Sequence, residues 1–198
     1  MNRIILTALA AASAFAIATP AAAQSVTGVI NITGNVDSKC MVVSAGNPTG
    51  PATFGGTVAL GNLAQADGTM ATDLATRFNA AGNNTQLQYK IVCTSAKTNV
   101  SVDADPIVAA TAVAQAGYAN RIDYKANVAV TLVGGAGAPV QSDSTDGAAT
   151  ATTYNDRLAA TNPNIIVTAS NFRTANLTDI LLADSYTGKI TIVVSPAA

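Results

Sequence analysis

From residue 24 onward, polar and apolar positions alternate with a period of two. Val26, Gly28, Ile30, Ile32, Gly34 and Val36 fall on one side, with mostly polar side chains between them. That spacing predicts a β-strand with one apolar face. It carries no charge before Asp37, and a strand edge of this kind must be either protected or used for pairing.

The same period returns further along. Cys40 to Val43 reads as a first strand of the domain, and Ser44 to Gly56 as a Gly/Pro/Asn turn region. Thr57 to Leu63 reads as a short strand. Ala71, Leu74, Ala75 and Phe78 have helical spacing, which predicts one or two helical turns between Met70 and Ala81. Gln86 to Cys93 alternates with Leu87, Tyr89, Ile91 and Cys93 on one face, turns at Thr94 to Lys97, and returns through Thr98 to Val102. Asp103 to Gly117, with Pro106 and an Ala-rich run, reads as a loop with room for a helical turn. Arg121 to Val133 is a long strand with Ile122, Tyr124, Ala126, Val128, Val130 and Leu132 in phase, followed by a Gly turn at 134–137. Gln141 to Pro163, rich in Ser, Thr, Asp and Ala, reads as a long exposed excursion. Asn164 to Thr168 is apolar and β-branched. Tyr186 to Val194 is the closing strand, with Ile190, Ile192 and Val194 alternating. Many short strands separated by turn signals predict an all-β antiparallel sandwich.

The first 23 residues stand apart. A positive start at Met1-Asn2-Arg3, an apolar stretch from Ile4 to Ile17 and small residues at Ala21-Ala22-Ala23 read as an export signal, cleaved before Gln24. That stretch is short for a membrane span, and no later one suits membrane insertion. The remaining chain, about 175 residues, suffices for one domain with a sizeable core. Composition agrees with strands: Thr and Val are abundant, and all eleven acidic residues are Asp, which favours turns. Net charge is −1 with no Lys/Arg run, which argues against nucleic acid as a partner. Cys40 and Cys93 are the only cysteines, and an even count in an exported chain predicts a disulfide. Closing a loop of that length restricts the unfolded chain by roughly 4 kcal/mol.

Candidate chemistry is sparse. There is no His and no Glu, so the usual general base and metal ligand are missing and a carboxylate pair would need Asp alone. Asp103-x-Asp105 is the one acidic pair considered for a cation, and it reads better as a solvated turn. The Gly clusters at 55–56 and 134–137 lack the strand-Gly-helix setting of a phosphate cradle. We therefore expect no catalytic residues, no metal and no cofactor. Tyr89, Tyr124 and Tyr186 fall in strand phase and read as core or subunit-contact residues.

The order of these motifs resembles the pilin subunits of the chaperone–usher pathway and the related spore coat U-type secreted domains. The likeness is carried by Gly28 to Val36 followed by Cys40-Met41-Val42, by Val58-Ala59-Leu60-Gly61-Asn62-Leu63, by Leu87 to Cys93, by Val128 to Val133 with Gly137 to Val140, and by Tyr186 to Val194. The family's Tyr next to last is not present in Val194-Ser195-Pro196-Ala197-Ala198. The resemblance implies an incomplete immunoglobulin-like sandwich, residues 40–198, that lacks its last strand, preceded by a donor-strand arm, residues 24–39. Val26, Ile30, Ile32 and Val36 would fill pockets of a neighbouring subunit, with Gly28 in the same alternation and Gly34 where the groove is narrow. Ile190, Ile192 and Val194 would form the strand that a periplasmic chaperone contacts before an outer-membrane usher assembles the subunits. It implies a surface fimbria serving adhesion or biofilm formation, reached through the periplasm, with identical or related subunits as partners. Two other readings compete: a self-complete secreted surface or matrix protein, and a carbohydrate-binding adhesin module.

Overall fold

The computed structural model describes residues 28–43, 53–81 and 87–197. The export signal, Val26 and most of the turn region 44–56 lie outside the described residues. Contacts divide the chain into 1–35 and 36–198. In the first unit, 28–35 forms neither helix nor strand, and Val29, Ile30 and Ile32 are exposed. In the described part of the predicted strand, 28–36, no strand therefore forms, and Val36 is exposed as well.

In chain order the second unit contains β1 (Cys40–Val42), α1 (Leu74–Ala81), β2 (Gln88–Tyr89), β3 (Ile91–Cys93), β4 (Lys97–Ala109), β5 (Tyr118–Ala119), β6 (Arg121–Leu132), β7 (Gly135–Ala136), β8 (Val140–Asp143), β9 (Thr150–Tyr154), β10 (Ile165–Arg173), β11 (Ile180–Leu181) and β12 (Tyr186–Ala197). β4 lies at the centre of one layer, between β12 and β9. β6 lies at the centre of the other, with β8 on one side and β10, then β2, on the other. These pairings are antiparallel, and a short β4–β6 ladder at Ile107–Val108 joins the layers. β1 pairs with β3, where Cys40 and Cys93 form the expected disulfide. The fold is an all-β, sandwich-like one.

Alternation along the long strands builds the core. β6 turns Ile122, Tyr124, Ala126, Val128 and Val130 inward, and β10 buries Ile165, Val167 and Ala169 against them. β4 contributes Val100, Val102 and Ala104, after which its phase shifts by one residue and Ile107 is buried. The cause is a bulge: pairing with β12 jumps from Lys189↔Asp105 to Thr187↔Val108, so Pro106 and Ile107 together oppose Gly188. Pro106 has no N–H to lose there. A Cβ on Gly188 would stand 2.7 Å from Ile107 Cγ1 and 3.1 Å from its Cα. The predicted loop from Asp103 thus starts seven residues late, at Ala110, since the strand continues through its proline.

Four further expectations are corrected. Gln86 to Cys93 is not one strand: it divides at Lys90, with β2 serving β10 and β3 serving β1. Thr98 to Val102 does not return alongside it, because β4 crosses to the other layer. Thr57 to Leu63 forms no strand, and Gly61 within it takes a positive φ of 72°. Residues 141–163 are not a solvated excursion; they contain β8 and β9 and bury Ser142, Ser144, Tyr154 and Leu158. The Ser142 hydroxyl accepts the Ala104 N–H and the Ser144 hydroxyl the Tyr124 N–H, so small polar side chains there replace main-chain partners. The helix is real and runs from Leu74 to Ala81.

Asn164, fully buried, has the same role at larger scale. Its Oδ1 accepts the Ile91 N–H (2.9 Å), and its Nδ2 donates to the carbonyls of Ile91 (2.7 Å) and Ala159 (2.8 Å). The amide stands in for a strand next to β3. Asn164→Ala leaves buried main-chain groups unpaired, so it should destabilise the disulfide-intact chain by about 2–4 kcal/mol in denaturant unfolding. A loss under about 0.5 kcal/mol would contradict this role.

Candidate functional site: a furrow with an apolar floor beside β12

Beside the core runs a furrow of about 880 Å³. Its apolar floor includes Phe78, Leu87 and Val167 of the core and Tyr89 and Phe172, which pack against it. One border is the segment 54–63 and the other is β12 through Gly188, Lys189, Ile190 and Ile192.

Burial alternates along the first border: Phe54, Val58 and Leu60 are half-buried, whereas Thr57 and Ala59 are exposed. It is tied down at its ends. Phe54 packs on Tyr89 with ring centroids 4.6 Å apart. Arg77 on α1, itself paired with Asp73, donates to the carbonyls of Leu60 and Asn62. Between those ties, the main chain of 55–59 has no hydrogen-bond partner among the described residues. The second border is similar. β12 pairs with β4 along one edge, and no strand among the described residues pairs with its other edge.

Polar groups stiffen the furrow rather than fill it. Tyr124 stacks on Phe172, centroids 5.4 Å apart, and its hydroxyl donates to the Lys189 carbonyl at 3.0 Å. Burial, reinforced by the charges of Asp105 and Asp103, pushes this phenol's pKa upward, so it stays a donor. Lys189 Nζ pairs with Asp105 at 3.1 Å on the exposed side. Asp105 is thus engaged by a lysine, and no metal-binding cluster of His, Cys, Asp or Glu occurs among the described residues. At the far end, Asp184 accepts the N–H groups of Thr111 and Ala112, each at 2.7 Å, and that of Ser185 at 2.7 Å, plus the Thr111 hydroxyl at 2.9 Å. These bonds lower its pKa to about 2.

Of the sequence-derived site residues, Ile190 and Ile192 line the furrow. Val194 lies past its end, in a small recess with Cys40, Met41, Val42, Phe54 and Ile91. Gly28, Ile30, Ile32 and Gly34 belong to the first unit, and Val36 is exposed at the start of the second. Tyr89 and Tyr186 are half-buried furrow residues, and Tyr124 is buried. Sequence reasoning missed Phe54, Phe78 and Phe172. Three of the four phenylalanines converging on one furrow was hidden because they come from a loop, a helix and a strand. The chain matches no family model, and no curated protein or solved structure matches it.

The Asp184 clamp has a definite pH window. Its folded pKa lies below the ordinary 3.8, so its contribution is full above about 3.8 and is lost as pH falls through about 2. The Thr111 and Ala112 amides should therefore stay protected from hydrogen exchange at pH 3.5 and lose protection in Asp184→Ala. Equal protection in both proteins would contradict the clamp.

Proposed function

We propose that this chain is a structural subunit of a surface fimbria, assembled when the arm of one copy enters the furrow of the next. The observation that carries this reading is the furrow, its apolar floor made by side chains of the core and its borders formed by the segment 55–59 and the outer edge of β12, neither of which has a main-chain partner among the described residues. An extended segment laid there gains main-chain bonds on both sides while alternate side chains enter the floor. The domain is then an incomplete immunoglobulin-like sandwich, and the incoming segment is its missing strand.

The arm suits this role in length and pattern. Val26 to Val36 spans roughly 33 Å when extended, against roughly 27 Å for Tyr186 to Val194. Ile30, Ile32 and Val36 are 88%, 92% and 77% exposed, a large apolar expense for solvent-facing side chains unless they dock elsewhere. Val26, Ile30, Ile32 and Val36 fill the furrow, Gly28 keeps the alternation, and Gly34 passes where space is least. Arm and furrow are different surfaces, so their contact is heterologous and propagates as an open fibre. Before assembly, β12 through Ile190, Ile192 and Val194 offers its open edge to a periplasmic chaperone, and an outer-membrane usher follows. The role is structural rather than catalytic, and the mature chain acts outside the cell in adhesion or biofilm formation.

Removing residues 24–35 should abolish polymer formation by the purified mature chain, measured by light scattering, while the Cys40–Cys93 disulfide still forms. Fibres from the shortened chain, or a full-length chain that stays monomeric, would contradict assembly through the arm. Ile32→Asp should reduce polymerisation roughly tenfold or more, because a carboxylate must enter an apolar pocket. Unchanged fibres in that variant would remove Ile32 from the contact.

A further inference from the structure

The arm of each copy could in principle enter that copy's own furrow and end assembly. We infer that Thr94 is a positioning residue that disfavours this, by fixing the root of the arm on a course away from its own furrow; the inference rests on the assembly proposed above. Thr94 makes three short bonds to the root, besides a longer approach of its hydroxyl to the Lys39 carbonyl at 3.4 Å. Its hydroxyl accepts the Lys39 N–H at 3.0 Å and donates to the Asp37 carbonyl at 2.9 Å, and its own N–H donates to the Lys39 carbonyl at 2.9 Å. They continue the β1–β3 pairing outward by one register from the disulfide at Cys40↔Cys93.

The direction follows from chain order. Leu87 and Tyr89 line the furrow, and the chain runs from them through β3 to Thr94. Three residues later Lys97 pairs with Ala197, so Thr94 lies toward the C-terminal end of β12, past Ile190 and Ile192. β1 is antiparallel to β3: Val43 donates to Lys90 on the furrow side, whereas Lys39 and Asp37 meet Thr94 on the outer side. Traced back from Cys40, the root therefore heads away from the furrow. Self-insertion requires the chain to reverse near Asp37, and the hydroxyl of Thr94 holds that stretch in the unreversed form. The disulfide fixes β1 on β3, and Thr94 fixes the two residues beyond it.

The mature chain, refolded by dilution with its disulfide intact, separates monomer from polymer on size exclusion with light scattering. Thr94→Val keeps the N–H bond and loses both hydroxyl bonds, which should raise the ratio of folded monomer to polymer roughly tenfold. That monomer, its furrow filled by its own arm, should refuse an added peptide of residues 24–36. Thr94→Ser keeps the hydroxyl and should behave as the unmodified chain. If Thr94→Val does not fold, Thr94→Ala provides the same comparison. A ratio within twofold of the unmodified chain in the variant lacking the hydroxyl, or a serine variant that matches the valine one, overturns the role of Thr94 and leaves assembly itself standing. Polymer formation by the chain without residues 24–35 overturns both.

Discussion

The structure depends on a main-chain constraint: a strand placed against an apolar core has two edges, and each edge needs a partner or water. Here β4 and β6 are satisfied on both sides, and the layers close around them. Along the outer edge of β12 and the segment 55–59 that satisfaction stops among the described residues, although the side chains beneath belong to the core or pack against it. The furrow is thus a place where core packing and strand pairing end at different lines. Neither apolar floor nor open edges would suffice alone, since a floor without edges fits any apolar ligand and edges without a floor bond to water.

Elsewhere the chain takes care to supply missing partners with side chains. Asn164 acts as a strand residue for Ile91, Ser142 and Ser144 receive main-chain N–H groups, and Asn79 on α1 both donates to and accepts from the main chain of Ala169. Asp184 does so for the 111–112 turn. Against that background the unassisted stretch beside the furrow is a local exception. The bulge at Pro106 and Gly188 belongs to the same economy, because it lets one strand change neighbours without losing a bond at the proline.

Much of this was legible in the alternation. The long strands β6 and β12, the disulfide and the all-β class follow from period-two spacing, Thr/Val content and an even cysteine count. The errors came where local signals compete with tertiary demands. Pro106 reads as a strand breaker, but opposite Gly188 it sits in a bulge that needs no N–H. Ser142 and Ser144 read as solvated loop because their partners are distant main-chain groups. Gln86 to Cys93 alternates as one strand, yet it serves two neighbours and breaks at Lys90. Ile190 and Ile192, whose alternation along the closing strand was readable, line the furrow. The place of Phe54, Phe78 and Phe172 there was not readable, since only the fold brings residues 54, 78 and 172 to one surface, and the pairing of Thr94 with the arm's root spans 55 residues.

The most direct measurement is amide hydrogen exchange on the chain lacking residues 24–35, with and without a synthetic peptide of residues 24–36. The account predicts rapid exchange at 55–59 and along the open edge of β12 in the lone chain, and strong protection of both edges on saturable binding of the peptide. Edges already protected without it, or a peptide that binds without protecting them, would contradict the claim that the furrow receives a strand.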